Sequence, residues 1–296
     1  MARPFLKWAG GKGQLLNVIN DNLPAHFDRY IEPFVGSGAV LFSILENRNV
    51  EGGVFINDIN TDLVHTYESI RDHCEQMIDI LSELQDQYLA LDNMDDRAHM
   101  YYQIREAYNQ RQADMIMHSC YFIFLNKTCF NGLYRVNARN LFNVPFAKPR
   151  NPRICDQENL RAVSQVLAQV IIRNQDYGQL LDEVREGSFV YLDPPYRPLN
   201  QTSAFTSYSA AGFGDEEQRE LKLFCDAIHA RGAYFMLSNS DPKNEAPDDE
   251  FFDELYADYQ ITRVPAKRFI NSKASGRGEI NELLITNYQN DAVLLF

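Results

Sequence analysis

The chain of 296 residues is 45% hydrophobic and 23% charged, the composition of a soluble globular protein. None of its apolar runs approaches the ~20 residues that cross a bilayer. A formal net charge of −13 argues against generic nucleic-acid binding, because phosphate contacts need clustered Lys and Arg. Cys74, Cys120, Cys129, Cys155 and Cys225 are odd in number and form no Cys-x-x-Cys pair, so neither disulfides nor zinc or another metal is expected. The opening Met1-Ala2-Arg3-Pro4-Phe5-Leu6-Lys7-Trp8 has no signal-peptide apolar region, so a cytosolic protein is expected.

Near the amino end, Gly10-Gly11-Lys12 is no P-loop: the spacing is wrong and Gly13 stands where Ser or Thr is required. Lys12 suits a ligand carboxylate, although a lone lysine is more often solvated. An apolar run at 30–34 then enters Glu32-Pro33-Phe34-Val35-Gly36-Ser37-Gly38, and Ala39-Val40-Leu41-Phe42 begins a helix. This strand, glycine turn and helix let a ligand approach the backbone closely, while many such turns use glycine only for positive φ. Twenty residues beyond Gly38, Asp58 ends the run 54–57, where an acid accepts hydrogen bonds from two ribose hydroxyls. Leu41 replaces the third glycine of a dinucleotide fingerprint. That disfavours a pyrophosphate ligand and is compatible with S-adenosylmethionine, which has ribose and adenine but no phosphate.

Ile59, Leu63, Tyr67, Ile70, Cys74, Ile78 and Leu81 recur every three or four residues and predict a long amphipathic helix. From 74 to 154 the α/β alternation is interrupted by polar helical stretches, the apolar 115–125 and the Asn-rich 126–152, so an inserted helical domain is expected. Residues 127–153 contain Lys127, Arg135, Arg139, Lys148, Arg150 and Arg153 and no acid: locally +6, against −19 for the remainder. A second cluster, Arg263, Lys267, Arg268, Lys273 and Arg277, faces only Glu279. A basic face on an acidic body suits an enzyme that follows one groove of DNA; ordinary solvated surface is the plainer alternative. Further strands are expected at 170–173, 189–192, 233–237 and 283–287, a helix at 217–231, and an exposed, mobile loop at 242–250. The alternation predicts an α/β sheet.

The apolar run Ser188-Phe189-Val190-Tyr191-Leu192 ends in Asp193-Pro194-Pro195-Tyr196. A strand ending this way presents a carboxylate, carbonyls and one aromatic face at the carboxyl edge of a sheet. The exocyclic amine of adenine is a poor nucleophile, since its lone pair is delocalised into the ring. Asp193 and the Pro194 carbonyl can accept its hydrogens and favour the tetrahedral nitrogen that attacks a methyl group, while Tyr196 stacks on the ring. A strand-terminating turn is the bland alternative.

These motifs together resemble the Dam-like DNA adenine methyltransferases, including the methylases of GATC-type restriction systems. The likeness runs nearly the whole chain, through 5–12, 32–38, Asn57-Asp58, Asn131-Gly132-Leu133-Tyr134-Arg135-Val136-Asn137, 142–146 and Asp193-Pro194-Pro195-Tyr196, in the order of the alpha group of amino-methyltransferases. The resemblance implies a Rossmann-like S-adenosylmethionine-dependent domain, 1–73 and 155–296, with an inserted helical target-recognition domain, 74–154. It implies that Trp8, Lys12, Glu32, Phe34, Gly36, Gly38, Asp58, Asp176, Tyr177 and Asp193 surround the cofactor, and that Asp193, Pro194 and Tyr196 act on a flipped adenine in double-stranded DNA. Phe130 matches an intercalating position and Asn131, Leu133, Arg135 and Pro145 base-contacting ones, with Asn137, Lys127 and Lys148 as further DNA-facing residues. Arg135 suits guanine O6 and N7. Lys127 and Lys148 stand where relatives often have Arg, and Ala147 where they have Gly, which favours phosphate contact over base readout. A cytoplasmic, nucleoid-associated enzyme follows, with a cognate restriction endonuclease acting on the same site without a stable complex as one partner; repair and phage roles stay open. Methyl transfer to RNA or a protein amide, and a catalytically silent binding protein, are the competing readings.

Overall fold

The computed structural model describes residues 1–8, 10–197, 213–267 and 279–289. Ala9, Arg268, Lys273 and Arg277 lie outside the described residues, as do the side chains of Lys267 and Glu279. Seven strands, β1 (Arg29–Glu32), β2 (Val54–Asn57), β3 (Val170–Arg173), β4 (Ser188–Leu192), β5 (Tyr234–Ser240), β6 (Gln260–Lys267) and β7 (Glu279–Thr286), form a sheet in the order β3-β2-β1-β4-β5-β7-β6. Strands β2, β1, β4 and β5 pair in parallel, whereas β7 runs antiparallel to both β5 and β6. This is the doubly wound, Rossmann-like order. Its direction reverses between β1 and β4, so their carboxyl ends mark the crevice where such sheets bind ligands.

Six of the strands match apolar runs: β2 and β3 at both ends, the other four with shifts of up to four residues. The seventh, β6, carries no such signal: Thr262, Arg263 and Pro265 interrupt its apolar residues. It is an edge strand, where a proline costs no ladder bond.

The chain divides into two compact units. The second, Lys12–Phe34, Arg48–Ile56 and Gln175–Phe296, includes the short α1 (Leu16–Asp21) and α8 (Phe251–Leu255). Its core sets Ile31, Val190, Leu192, Phe235, Leu237, Leu283 and Ile285 of the sheet against Leu221, Phe224 and Ile228 of α7 (Asp215–Ala230). Three acids fill the first turn of α7, and the Gly214 N–H donates to Glu217 at 2.7 Å, so the helix starts two residues before its expected position. The exposed segment after β5 begins with a 3₁₀ turn, Pro242–Asn244, and Lys243 ties it to Glu250 and Asp253 at 2.7 and 3.0 Å.

The first unit, Met1–Gly11, Val35–Asn47 and Asn57–Asn174, holds α2 (Ala39–Asn47), α3 (Thr61–Ala90), α4 (Met94–Gln110), α5 (Met115–Thr128) and α6 (Gln157–Leu167). The Asn60 side chain caps α3 by accepting from Leu63 N at 3.1 Å. The helix bends at His73 (φ −135°) and continues nine residues beyond Leu81. Helix α5 is buried nearly all round, as its apolar run requires.

One carboxylate is sunk among these helices. Asp62, 4% exposed, accepts from the Tyr108 hydroxyl at 2.5 Å and from both Arg111 terminal nitrogens at 2.8 and 3.0 Å, with His118 Nε2 at 3.3 Å and the Tyr134 hydroxyl at 3.4 Å. Burial pushes its acidity down, but the bonds from His118, Arg111 and Tyr108 more than offset this and hold the carboxyl well below the usual carboxylate range. No helix among the described residues is long and apolar enough to cross a membrane.

Candidate active site

In the second unit, the end of β4 delivers Asp193-Pro194-Pro195-Tyr196 into a polar cluster. Lys12, 5% exposed, places Nζ 2.7 Å from Asp193 Oδ1 and donates to the Tyr196 hydroxyl at 2.6 Å. That hydroxyl donates in turn to Glu282 Oε2 at 2.6 Å. Burial raises the Asp193 carboxyl while Lys12 pulls it back, and the net displacement is upward. Burial, with Asp193 and Glu282 nearby, drives the Tyr196 phenol far above its ordinary range, so it stays protonated and can donate. Pro194 is buried, and the Pro195 carbonyl accepts from Gln218 Nε2 at 3.4 Å. Beyond Tyr196, Arg197 bonds Asp215 and Asp249 and lies over the Phe251 ring, which anchors the chain leaving the motif.

The same unit holds four more of the expected cofactor residues. Glu32 ends β1, is 2% exposed and accepts from the Tyr30 hydroxyl at 2.7 Å. Phe34 meets Tyr177 with ring centroids 5.2 Å apart, and Asp176 caps the turn that carries Tyr177, accepting from Gly178 N at 2.9 Å.

In the first unit, Asp58 accepts from Gly36 N at 3.2 Å and from Asn60 N at 2.9 Å, so turn and acid form one structure. Burial raises its pKa to about 6, with the backbone donors opposing. Gly36 (φ +48°) and Gly38 (φ +73°) are required here: a Cβ on the first would meet Trp8 Cδ1 at 2.9 Å, and on the second the Tyr67 hydroxyl at 2.6 Å. Trp8 stacks on Tyr134, centroids 5.6 Å apart and 22° between planes.

The second unit thus holds a carboxylate and a lysine together at the end of β4, and the first holds a glycine turn closed onto an acid. The family model of the D12 class N6 adenine-specific DNA methyltransferases matches residues 8–270. The chain belongs to that class. It is 45% identical over 295 residues to the Type II methyltransferase M.MjaIII of Methanocaldococcus jannaschii, covering 97% of this chain and 99% of that one. The Type II methyltransferase M1.LlaDCHI of Lactococcus lactis subsp. cremoris is 36% identical (97% and 96% covered), and the DNA adenine methylase of Escherichia coli K12 is 32% identical (95% and 94%). The chain is thus an adenine-specific DNA methyltransferase, and membership implies an S-adenosylmethionine donor and a DNA substrate.

The D12 methyltransferase carries all the expected DNA-facing residues but Lys127 on the loop after α5. Phe130 N donates to the Pro145 carbonyl at 2.9 Å and Asn143 N to the Arg135 carbonyl at 3.1 Å, with isolated bridges Cys129–Phe146 and Val136–Phe142. This ladder gathers Phe130, Asn131, Arg135, Asn137 and Pro145 as exposed residues around half-buried Leu133. Phe130 is 52% exposed, unusual for so large an apolar ring. Arg135 Nε donates to Asn143 Oδ1 at 2.7 Å. Asn137 Oδ1 accepts from Arg139 N and Leu141 N, so its oxygen serves the loop itself. Lys148 is exposed, whereas Lys127, in the last turn of α5, is half-buried, and burial lowers its pKa.

Three contacts of this D12 methyltransferase beside the expected residues had no counterpart in the sequence reading. Lys7 exchanges backbone bonds with the Asn126 side chain at 2.9 and 2.8 Å, and its stem lies where a Cβ on Gly132 would stand, which sets it beside the loop. Tyr134 lies within the Asn131-to-Asn137 motif, but nothing in the motif announces its stack on Trp8. Glu282 is 86 residues beyond Tyr196 and carries no local signal.

Proposed function

We propose that this enzyme methylates N6 of a flipped adenine within GATC in double-stranded DNA, the catalytic parts lying in 1–73 and 155–296 and the target-reading parts in 74–154. The Lys12–Asp193–Tyr196 cluster at the end of β4 supports the reading most strongly, because it gathers acceptor, cation and ring where the adenine amine has to be held.

The donor set fits S-adenosylmethionine: Asp58 suits a ribose, the glycine turn is held onto it through Gly36 N, and nothing in the turn calls for a phosphate. When bound, the cofactor supplies an electrophilic methyl group. Trp8, Phe34 and Tyr177 offer aromatic faces, Asp58 and Glu32 accept hydrogen bonds, Asp176 orients Tyr177, and Lys12 offers a cation. Asp193 and the Pro194 carbonyl accept the N6 hydrogens, which restores nucleophilic character to the nitrogen, and Tyr196 stacks on the extruded base. Since these contacts strengthen as the nitrogen becomes tetrahedral, they raise the chemical rate. The Type II relatives favour a restriction-modification role, with a cognate endonuclease reading the same site.

On the DNA side, Phe130 is proposed to fill the stack near the vacated position, and Arg135 to read guanine after leaving Asn143. Arg135→Ala is expected to lose about 1–3 kcal/mol of discrimination between GATC and single-base variants in duplex competition assays. Unchanged discrimination would remove Arg135 from the readout.

Asp58 accepts ribose hydroxyls best when ionised. With a folded pKa of about 6, cofactor affinity measured by calorimetry is expected to rise as pH increases through 6 and then to level. Asp58→Asn should weaken binding and flatten that dependence. Because the folded pKa lies above the ordinary carboxylate value, ionising Asp58 costs stability above pH 6 and nothing below about 4. An Asn variant with unaltered affinity at pH 8 would refute the ribose role.

A further inference from the structure

The polar cluster at the end of β4 contains one member with no role in the reading above. Glu282 lies on β7, and the antiparallel register sets it opposite Ser240 of β5 and Val264 of β6. Because β7 runs against β5, its beginning lies at the carboxyl edge of the parallel strands. That topology carries Glu282 to Tyr196 across 86 residues of sequence.

The bonding is directional. Lys12 donates to the Tyr196 oxygen at 2.6 Å, and that oxygen's single proton goes to Glu282 Oε2 at 2.6 Å. Lys12 also meets Asp193 at 2.7 Å, so one buried ammonium serves Asp193 directly and Glu282 through the tyrosine. A phenol ring has two side-chain torsions; anchoring its oxygen on two sides fixes the tilt of the ring and limits what Lys12 can do elsewhere. Tyr191, one residue before the end of β4, is bonded to Ser238 at 2.8 Å, and burial, with Asp193 next, holds its phenol far above the ordinary range.

We propose that Glu282 is a positioning residue for methyl transfer. It holds the Tyr196 hydroxyl so that the ring presents a fixed face to the adenine and Lys12 stays shared with Asp193. The inference rests on the reading of Asp193 and Tyr196 as the groups that meet the base.

The test compares Glu282→Leu, Glu282→Gln, Tyr196→Phe and the Leu/Phe double variant, with Asp193→Ala as a control, in single-turnover methylation of a GATC duplex. Glu282→Leu removes the acceptor at similar volume and is expected to lower the methylation rate about 10- to 100-fold, with the S-adenosylmethionine dissociation constant held within about twofold. Glu282→Gln keeps an acceptor oxygen and should recover most of that loss. In the Tyr196→Phe background the hydroxyl is gone, so Glu282→Leu should cost less than about twofold more. Equal losses in both backgrounds, a normal rate for Glu282→Leu, or no recovery in Glu282→Gln each overturn the proposal. If Glu282→Leu does not fold, Glu282→Ala, which also removes the acceptor, takes its place in both backgrounds with the same expected and contrary results. A fully active Asp193→Ala would overturn the reading of the site itself, and this inference with it; an inactive one beside a normal Glu282→Leu overturns the inference alone.

Discussion

Asp193→Ala is expected to lower methyl transfer by about 10³-fold or more while shifting the S-adenosylmethionine dissociation constant by less than about tenfold. Two losses combine in that figure. Removing one preorganised hydrogen-bond partner of a transition state costs about 10²–10³, and removing a group placed to take a proton costs about 10²–10⁴. Overlap between the two keeps the total below their product. Cofactor binding is largely spared because Asp58, the glycine turn and the aromatic rings do not depend on Asp193. Asp193→Asn separates the two contributions: its carbonyl oxygen still accepts, but its amide cannot take up a proton, so an intermediate rate is expected. Burial raises the Asp193 carboxyl against the pull of Lys12, so wild-type activity should fall on the acid side as that carboxyl protonates, and the Asn variant should lack that limb. Near-normal turnover in Asp193→Ala would end its catalytic assignment.

The second large effect lies away from the chemistry. Asp62→Ala is expected to reduce unfolding free energy by about 3 kcal/mol, measured by urea titration at pH 7. The carboxylate is 4% exposed and is shared by Tyr108, Arg111, His118 and Tyr134, so its loss strips buried hydroxyls and a guanidinium of their common partner. Arg111 is 43% exposed and can turn to water, which keeps the cost toward the low end of the range for a broken buried pair. Asp62 has a depressed pKa when folded. Its contribution is therefore complete above the ordinary carboxylate value, near 4, and disappears as pH falls toward the folded value. Wild type should lose stability over that acid range, and Asp62→Asn should lose correspondingly less. Equal stability of wild type and Asp62→Ala at pH 7 would show that the cluster contributes nothing net.

What could be read from the sequence was what lies close together along it. Asp193 to Tyr196 follow directly on the β4 run, and Gly36 to Gly38 join β1 to α2 with Asp58 at the end of β2, so strand, turn and acid are each local signals. The Phe130-to-Lys148 loop was legible through its residue types and lack of acids. Residues delivered by register were not. Glu282 reaches Tyr196 only because β7 runs antiparallel beside β5, a choice no window of the sequence encodes. Strand β6 is an interrupted run with Pro265, and it forms because β7 lies beside it. Asp62 looks like an ordinary first-turn acid of α3 until α4 and α5 fold over it. Tyr134 holds a similar lesson: its stack on Trp8 joins positions 126 residues apart.

The central claim is that the cluster at β4 methylates adenine N6 inside a short duplex site read by the loop after α5. It is tested most directly by expressing the protein in cells that lack DNA methylation and sequencing the modified bases of their DNA. Methyl groups on adenine N6 at GATC, on both strands and absent from the Asp193→Ala strain, are the predicted result. Modification of another atom, or adenine methylation scattered without a common sequence, would contradict it.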